Sequence, residues 1–164
     1  MARYRVKEID RRLPEKFYKE HLLHFPLVTV DLVVTSYSSS PGGTRFLLVR
    51  RSRENLAWKG VWATPGGRVF RNEKVRDAAR RILLRETGLR VSSHDFIFKG
   101  YREIITMKEH GVTIVFSATV DMKNQEVRRD KSSSSVRWFA KVDTPKSLRS
   151  AYKSILSAGG ITLR

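Results

Sequence analysis

The chain has 164 residues and no cysteine, and its 33 Lys+Arg against 16 Asp+Glu give a formal charge of +17. Its length suits one ordinary domain that buries roughly two-thirds of its unfolded surface. The missing cysteine excludes a disulfide framework, thiolate zinc and a cysteine nucleophile, and 40% hydrophobic and 10% aromatic residues exclude a disordered chain.

In chain order, Leu13 to His24 reads as a short helix opened at Pro14, and Pro26 stops it. Leu27 to Thr35 is a near-continuous β-branched run, hence a buried strand. Ser36 to Thr44 is a Ser/Pro/Gly loop, and Phe46 to Val49 returns from it as the second arm of a long-tipped hairpin. Trp58 to Thr64 reads as a third extended piece, which Pro65-Gly66-Gly67 ends in a turn. A helix follows from about Glu73 to Glu86, with Val75, Ala78, Ala79, Ile82 and Leu83 at helical spacing and Gly88 as its cap. Phe96 to Ile105 and Val112 to Val120 read as strands around a turn near His110-Gly111. Ser132 to Ser135 reads as a loop, and Val136 to Phe139 as a last short strand. Thr144-Pro145 opens a final helix to about Leu156. Its apolar stripe is Leu148, Ala151, Tyr152 and Ile155, and Lys146, Arg149 and Lys153 line its other side.

The charge is uneven. Residues 66–90 carry eight cations and three anions, and residues 131–164 carry seven cations and the single anion Asp143. A small-anion site needs only a few cations, so the surplus points to a polyanionic partner or a generally basic setting. No apolar run approaches the ~18 residues of a membrane span. The first residues lack the apolar core of a signal peptide, so no membrane and a cytoplasmic address are expected.

Residues 66–89 space Gly67, Glu73, Arg81, Glu86 and Gly88 as a glycine loop, a helix and a glycine cap. This resembles the Nudix box, and the preceding Trp62-Ala63-Thr64-Pro65-Gly66-Gly67-Arg68 resembles Nudix proteins too. The fold implied is α/β, a mixed β-sheet sandwiched between helices. Residues 1–164 would be one Nudix domain. Residues 1–25 would be a basic extension and helix, 66–89 the box, and 144–157 a basic last helix. The box exists to hold a pyrophosphate with Mg²⁺, a hard cation that takes carboxylate oxygens. In the family, three glutamates follow the arginine. Here Ile82 and Arg85 stand at two of those positions and Glu86 at the third.

The GDP-mannose mannosyl hydrolases also lack the glutamate beside the arginine. The chain resembles that branch over roughly residues 13–155, through Leu27 to Asp31, Leu47 to Arg51, Gly66 to Val69 and Val136 to Trp138. In that branch water attacks the sugar carbon and GDP leaves. The resemblance implies Gly67 and Glu86 on Mg²⁺, and Arg51, Arg68 and Arg81 neutralising the departing diphosphate. It also implies a homodimer. The branch carries a Gln metal ligand and a His base before its Arg-Trp strand, where this chain has Asp130-Lys131 and four serines. A substitute base would be Asp130, Glu103 or His110. Without one the rate falls by ~10²–10⁴.

Plainer readings stand beside these. Glu73 and Arg81 read as a structural ion pair between loop and helix. Trp58 is a candidate to stack on a base, Trp62 reads as core, and His110 is a candidate substrate contact. Two functions follow. One is a Mg²⁺-dependent hydrolase, slow or atypical, of a nucleoside diphosphate sugar or related derivative. The alternative is a catalytically silent Nudix domain that binds RNA, within the ribosome or another ribonucleoprotein, through Lys146, Arg149, Lys153 and Arg85.

Overall fold

The computed structural model describes residues 20–21, 24–36, 43–52, 59–105, 110–121 and 124–163. Of the helix expected at 13–24, only Glu20, His21 and His24 fall within the described residues, and they are helical. Trp58 lies outside them.

Among the described residues, seven strands form one mixed sheet. They are β1 (Leu27–Ser36), β2 (Arg45–Arg51), β3 (Trp62–Ala63), β4 (Gly66–Arg68), β5 (Ile97–Ile105), β6 (His110–Thr119) and β7 (Ser133–Phe139). Among the described residues, α1 (Val75–Thr87) and α2 (Ser150–Ala158) pack on it. β1 is central. It runs parallel to β6 from Leu27↔Gly111 to Thr35↔Thr119. Its other edge is shared: β4 pairs at Thr29 to Asp31, and β2 pairs only at Thr35 and Ser36. The sheet therefore splits on that side of β1, between the end of β2 and the start of β4.

Alternation along β1 supplies both cores. Val30, Leu32 and Val34 pack with Ala78, Ala79, Ile82 and Leu83 of α1. Val33 packs on the opposite face with Leu148, Tyr152, Ile155 and Leu156 of the α2 region. The stripe of α1 continues one turn beyond its apolar members, so Glu86 and Thr87 are buried with them. Gly88 ends the helix as expected, at φ 75° with its N–H donating to the Leu84 carbonyl.

The structure differs from the sequence reading at five places. Gly66-Gly67 is not a turn: it is strand β4, laid against β1. The extended piece expected at 58–64 is a strand only at Trp62–Ala63, after a turn at Lys59-Gly60. His110 and Gly111 are the start of β6 rather than a turn, because the parallel ladder to β1 captures them. Ser133 to Ser135, expected in a loop, pair with Arg50 and Arg51 and begin β7. The last helix starts at Ser150, after a 3-10 turn at Lys141–Asp143, with Arg149 at its N-cap. Lys146 lies in a turn before it, so Lys146, Arg149 and Lys153 do not form one helical row.

Candidate active site

The site lies where the sheet splits. Gly66 is the hinge of it. Its backbone N–H donates to Glu86 Oε2 at 3.2 Å on the α1 side. On the other side its Cα faces Asp31: a β-carbon there would stand 2.4 Å from Asp31 Oδ1. Glycine is needed here because a buried carboxylate occupies the place of a side chain.

Asp31 is the one acid in the β1 run, and it is buried. Thr64 donates to its Oδ1 and Thr113 to its Oδ2, each at 2.7 Å. Burial raises its pKa above the usual carboxylate range, against the pull of those two hydroxyls and of Arg51. Glu86 is 1% exposed. Its pKa is also raised by burial, which outweighs Arg51, Arg85 and the Gly66 N–H. An ion pair near 4 Å is worth about 4 kcal/mol at an effective dielectric of 20. Desolvation of a carboxylate this deep is of similar or greater size.

Two guanidinium groups meet on Glu86 Oε1. Arg51, at the end of β2, reaches it at 3.6 Å, and Arg85, on α1, at 3.3 Å. Arg51 is only 16% exposed at its side chain. Burial acts against its charge, but Glu86, Tyr152 and Asp31 outweigh it and hold the guanidinium charged; the Tyr152 oxygen also accepts a hydrogen bond from it. Arg85 is about half exposed and forms the outer side of the site. Its Nε stands 4.0 Å from Asp130 Oδ2, and Asp130 Oδ1 accepts from the Ser132 N–H and hydroxyl at 2.9 and 2.7 Å. Arg85 thus links two carboxylates. Beside Arg51 in the β2–β7 ladder lies Ser133, 1% exposed. Its hydroxyl is the one buried side-chain polar atom among the described residues with no hydrogen-bond partner.

The other expected site residues fall as follows. Gly67 lies in β4, and a β-carbon on it would stand 3.6 Å from Arg85 Nη2. Ile82 is fully buried, and its Cδ1 and Cγ1 would stand 3.5 Å from that same β-carbon. Arg68 is half-buried in β4. Arg81 grips Glu73 with Nε at 2.6 Å and Nη2 at 2.8 Å, donates to the Arg68 carbonyl at 2.9 Å, and lies 4.0 Å over the Phe70 ring. Glu73 Oε2 accepts the Phe70 N–H as well. That is the loop-to-helix ion pair the sequence suggested. His110 pairs with Glu103 at 3.1 Å on β5 and β6, which lie across β1 from β4. Of the three candidate bases, only Asp130 stands with Glu86 and the arginines. Trp62 is core, edge-on to Phe139 at 4.9 Å. Asp31, Tyr152 and Ser133 were not anticipated as site residues. The one available signal was an acid inside an otherwise apolar strand.

The Mg²⁺ that the resemblance implies would need carboxylate oxygens at this site. No group of three His, Asp or Glu able to hold a metal exists among the described residues. Both oxygens of Glu86 are already engaged, and Arg85 stands between Glu86 and Asp130. Mg²⁺ binds through carboxylates free to face it. The described residues do not fit a divalent ion in this arrangement.

Comparison with known proteins bears on the same residues. A family model described as the NUDIX domain matches residues 28–158. The low-salt glycan biosynthesis protein Agl8 of Haloferax volcanii is 30% identical over 122 residues, covering 71% of this chain and 73% of that protein. The crystal structure of a MutT/nudix family protein from Enterococcus faecalis is similar at TM-score 0.64 and 25% identity over 79% of this chain. The chain spans about half of that protein, 47%. The NUDIX domain of Shewanella oneidensis NrtR, solved with ADP ribose, is similar at TM-score 0.69 and 21% identity, over 89% of this chain and 96% of that one. With the mixed sheet, the two covering helices and the glycine-to-helix box in place, the chain belongs to the Nudix family.

Proposed function

We propose that this chain hydrolyses a nucleoside diphosphate sugar or a related nucleoside diphosphate derivative, slowly and in an atypical way. The observation that carries the reading is the convergence of Arg51 and Arg85 beside Glu86 and Asp130. Nudix hydrolases generally use divalent metals, typically Mg²⁺. The donor set here does not suit one, so the arginines carry the leaving-group charge. The 30% identical relative, named for glycan biosynthesis, supports a sugar-linked substrate, and the neighbour solved with ADP ribose supports a nucleoside diphosphate one.

In the reaction, water attacks the sugar carbon. The new C–O bond forms as the bond from that carbon to the diphosphate oxygen breaks. Asp130 takes the water's proton, and the nucleoside diphosphate leaves with its charge on Arg51 and Arg85. Preorganised cations stabilise such a leaving group in the transition state. Glu86 holds both guanidinium groups in place and is a positioning residue.

The test is nucleoside diphosphate release from a panel of nucleotide sugars by wild type, Glu86→Gln and Asp130→Asn. Turnover that falls at least tenfold in both variants supports the reading. No turnover on any sugar, or turnover indifferent to both substitutions, overturns it.

RNA binding is the second reading, favoured by the +17 charge and by the exposure of Lys146, Arg149 and Lys153. Binding through many phosphates weakens steeply with salt, with a log–log slope of about −0.7 per contact on single strands. A flat salt response rejects it.

A further inference from the structure

We infer that Arg85, with Arg51, stands in for the metal of this fold, so that the site takes the diphosphate directly onto guanidinium groups and needs no divalent ion. The inference rests on the reading that the site takes a nucleoside diphosphate derivative.

Three independent features carry it. The first is occupancy. Arg85 Nη2 lies 3.3 Å from Glu86 Oε1, and its Nε lies 4.0 Å from Asp130 Oδ2. A cation that joins two carboxylates has the position a bridging metal would need. The second is charge balance. Arg51 and Arg85 already place two positive charges beside Glu86 and Asp130, so a dication there would meet two guanidinium groups as well as the carboxylates. Arg85 is half exposed, so its guanidinium is open to an anion from the outer side of the site. The third is the orphaned Ser133 hydroxyl. It lies beside Arg51 in the β2–β7 ladder, at the bulge where the register shifts between Arg50 and Arg51. A buried hydroxyl without a partner is costly to leave so, and a phosphoryl oxygen beside Arg51 would complete it.

The box also explains why the substitution is compatible with the fold. Ile82 is buried in the core against Gly67, and the Arg85 guanidinium lies at ordinary contact distance, 3.6 Å from where a Gly67 β-carbon would be. An apolar residue at position 82 removes one competing carboxylate, and an arginine at 85 replaces another with a fixed charge. The two departures from the family pattern act as one exchange.

The experiment is calorimetric binding of GDP-mannose and ADP-ribose to the full chain, in excess EDTA and in millimolar Mg²⁺, for wild type, Arg85→Glu and Ser133→Ala. A separate titration follows Mn²⁺ alone by electron paramagnetic resonance. Wild type is expected to bind at least one probe with affinities in the two buffers agreeing within about threefold, and to bind no Mn²⁺ at micromolar concentration. Arg85→Glu is expected to lose at least about tenfold in EDTA and to acquire a Mn²⁺ site with Glu86 and Asp130. Ser133→Ala, which removes only the hydroxyl, is expected to weaken binding by a few fold. Binding that needs Mg²⁺, tight Mn²⁺ binding by wild type, or EDTA binding indifferent to Arg85→Glu each overturns the inference and leaves the proposed substrate class standing. No binding of any probe in either buffer overturns both.

Discussion

Two adjacent glycines give a stringent test of the site's construction. Gly66 and Gly67 both lie in β4, and neither has a positive φ, so any need for glycine at either is a matter of space alone. A β-carbon at Gly66 would stand 2.4 Å from Asp31 Oδ1, 3.0 Å from Asp31 Cγ and 3.1 Å from the Val30 carbonyl. Asp31 cannot yield cheaply, because two threonine hydroxyls hold it at 2.7 Å on either oxygen. A shift of β4 instead would lengthen the 3.2 Å bond from Gly66 to Glu86. Overpacking costs about 1–3 kcal/mol, and a buried charge-assisted hydrogen bond lost on top costs about 1.5–3 kcal/mol. Gly66→Ala should therefore destabilise by about 3–5 kcal/mol, which for a chain of this size lowers Tm by roughly 10 °C or more. At Gly67 the nearest atoms to the added carbon are Ile82 Cδ1 and Cγ1 at 3.5 Å and Arg85 Nη2 at 3.6 Å, which is ordinary contact. Gly67→Ala should stay within about 1 kcal/mol of wild type. Urea unfolding followed by Trp fluorescence measures both. A Gly66→Ala loss below about 1 kcal/mol, or equal losses at the two positions, would refute the reasoning that Asp31 fills the missing side chain's place.

Arg81→Lys should lower stability by about 1–2 kcal/mol, since a point charge replaces a fork that grips Glu73 and the Arg68 carbonyl while lying over Phe70. Affinity for a nucleotide sugar should change little; a loss of affinity with unchanged stability would return Arg81 to the binding machinery. The pH response has a defined sign. Burial raises the pKa of Asp31 above 3.8 and of Glu86 above 4.5, so the folded protein holds those protons more tightly than the unfolded chain. That contribution is present below the unfolded values and is lost as pH rises through the folded ones. The stability of wild type relative to Glu86→Gln should therefore fall as pH is raised from 4.5 toward neutrality, measured by urea midpoints. A difference that grows with pH would show that Arg51 and Arg85 outweigh burial.

Much of the fold was legible because it follows from local pattern. The β-branched run of β1, the stripe of α1 and the glycine cap at Gly88 were each read within a residue or two of their observed ends. The pattern of α1 reaches one turn further. Adding one helical turn to Ala79, Ile82 and Leu83 lands on Glu86, which marks that glutamate as buried before any contact is known. What failed was long-range. Gly66-Gly67, His110-Gly111 and Ser133 to Ser135 carry local turn signals, yet each is drawn into the ladder by a distant partner: β1 for the first two and β2 for the third. The site was legible to the same extent. Residues of the box were found by their spacing, whereas Asp31, Tyr152 and Ser133 join Arg51 only through strand pairing and the packing of α2. Arg85 was found as a departure from a pattern. Its contact with both Glu86 and Asp130 needed the structure, since nothing in the spacing of 85 and 130 relates them.

The most direct test of the account is a crystal structure of the protein with a nucleoside diphosphate sugar, grown with Mg²⁺ in the buffer. The account predicts diphosphate oxygens within hydrogen-bond distance of Arg51 and Arg85, a partner for the Ser133 hydroxyl, and no ion between the diphosphate and Glu86. A divalent ion bridging Glu86 and the diphosphate, with Arg85 swung out of the site, would contradict it.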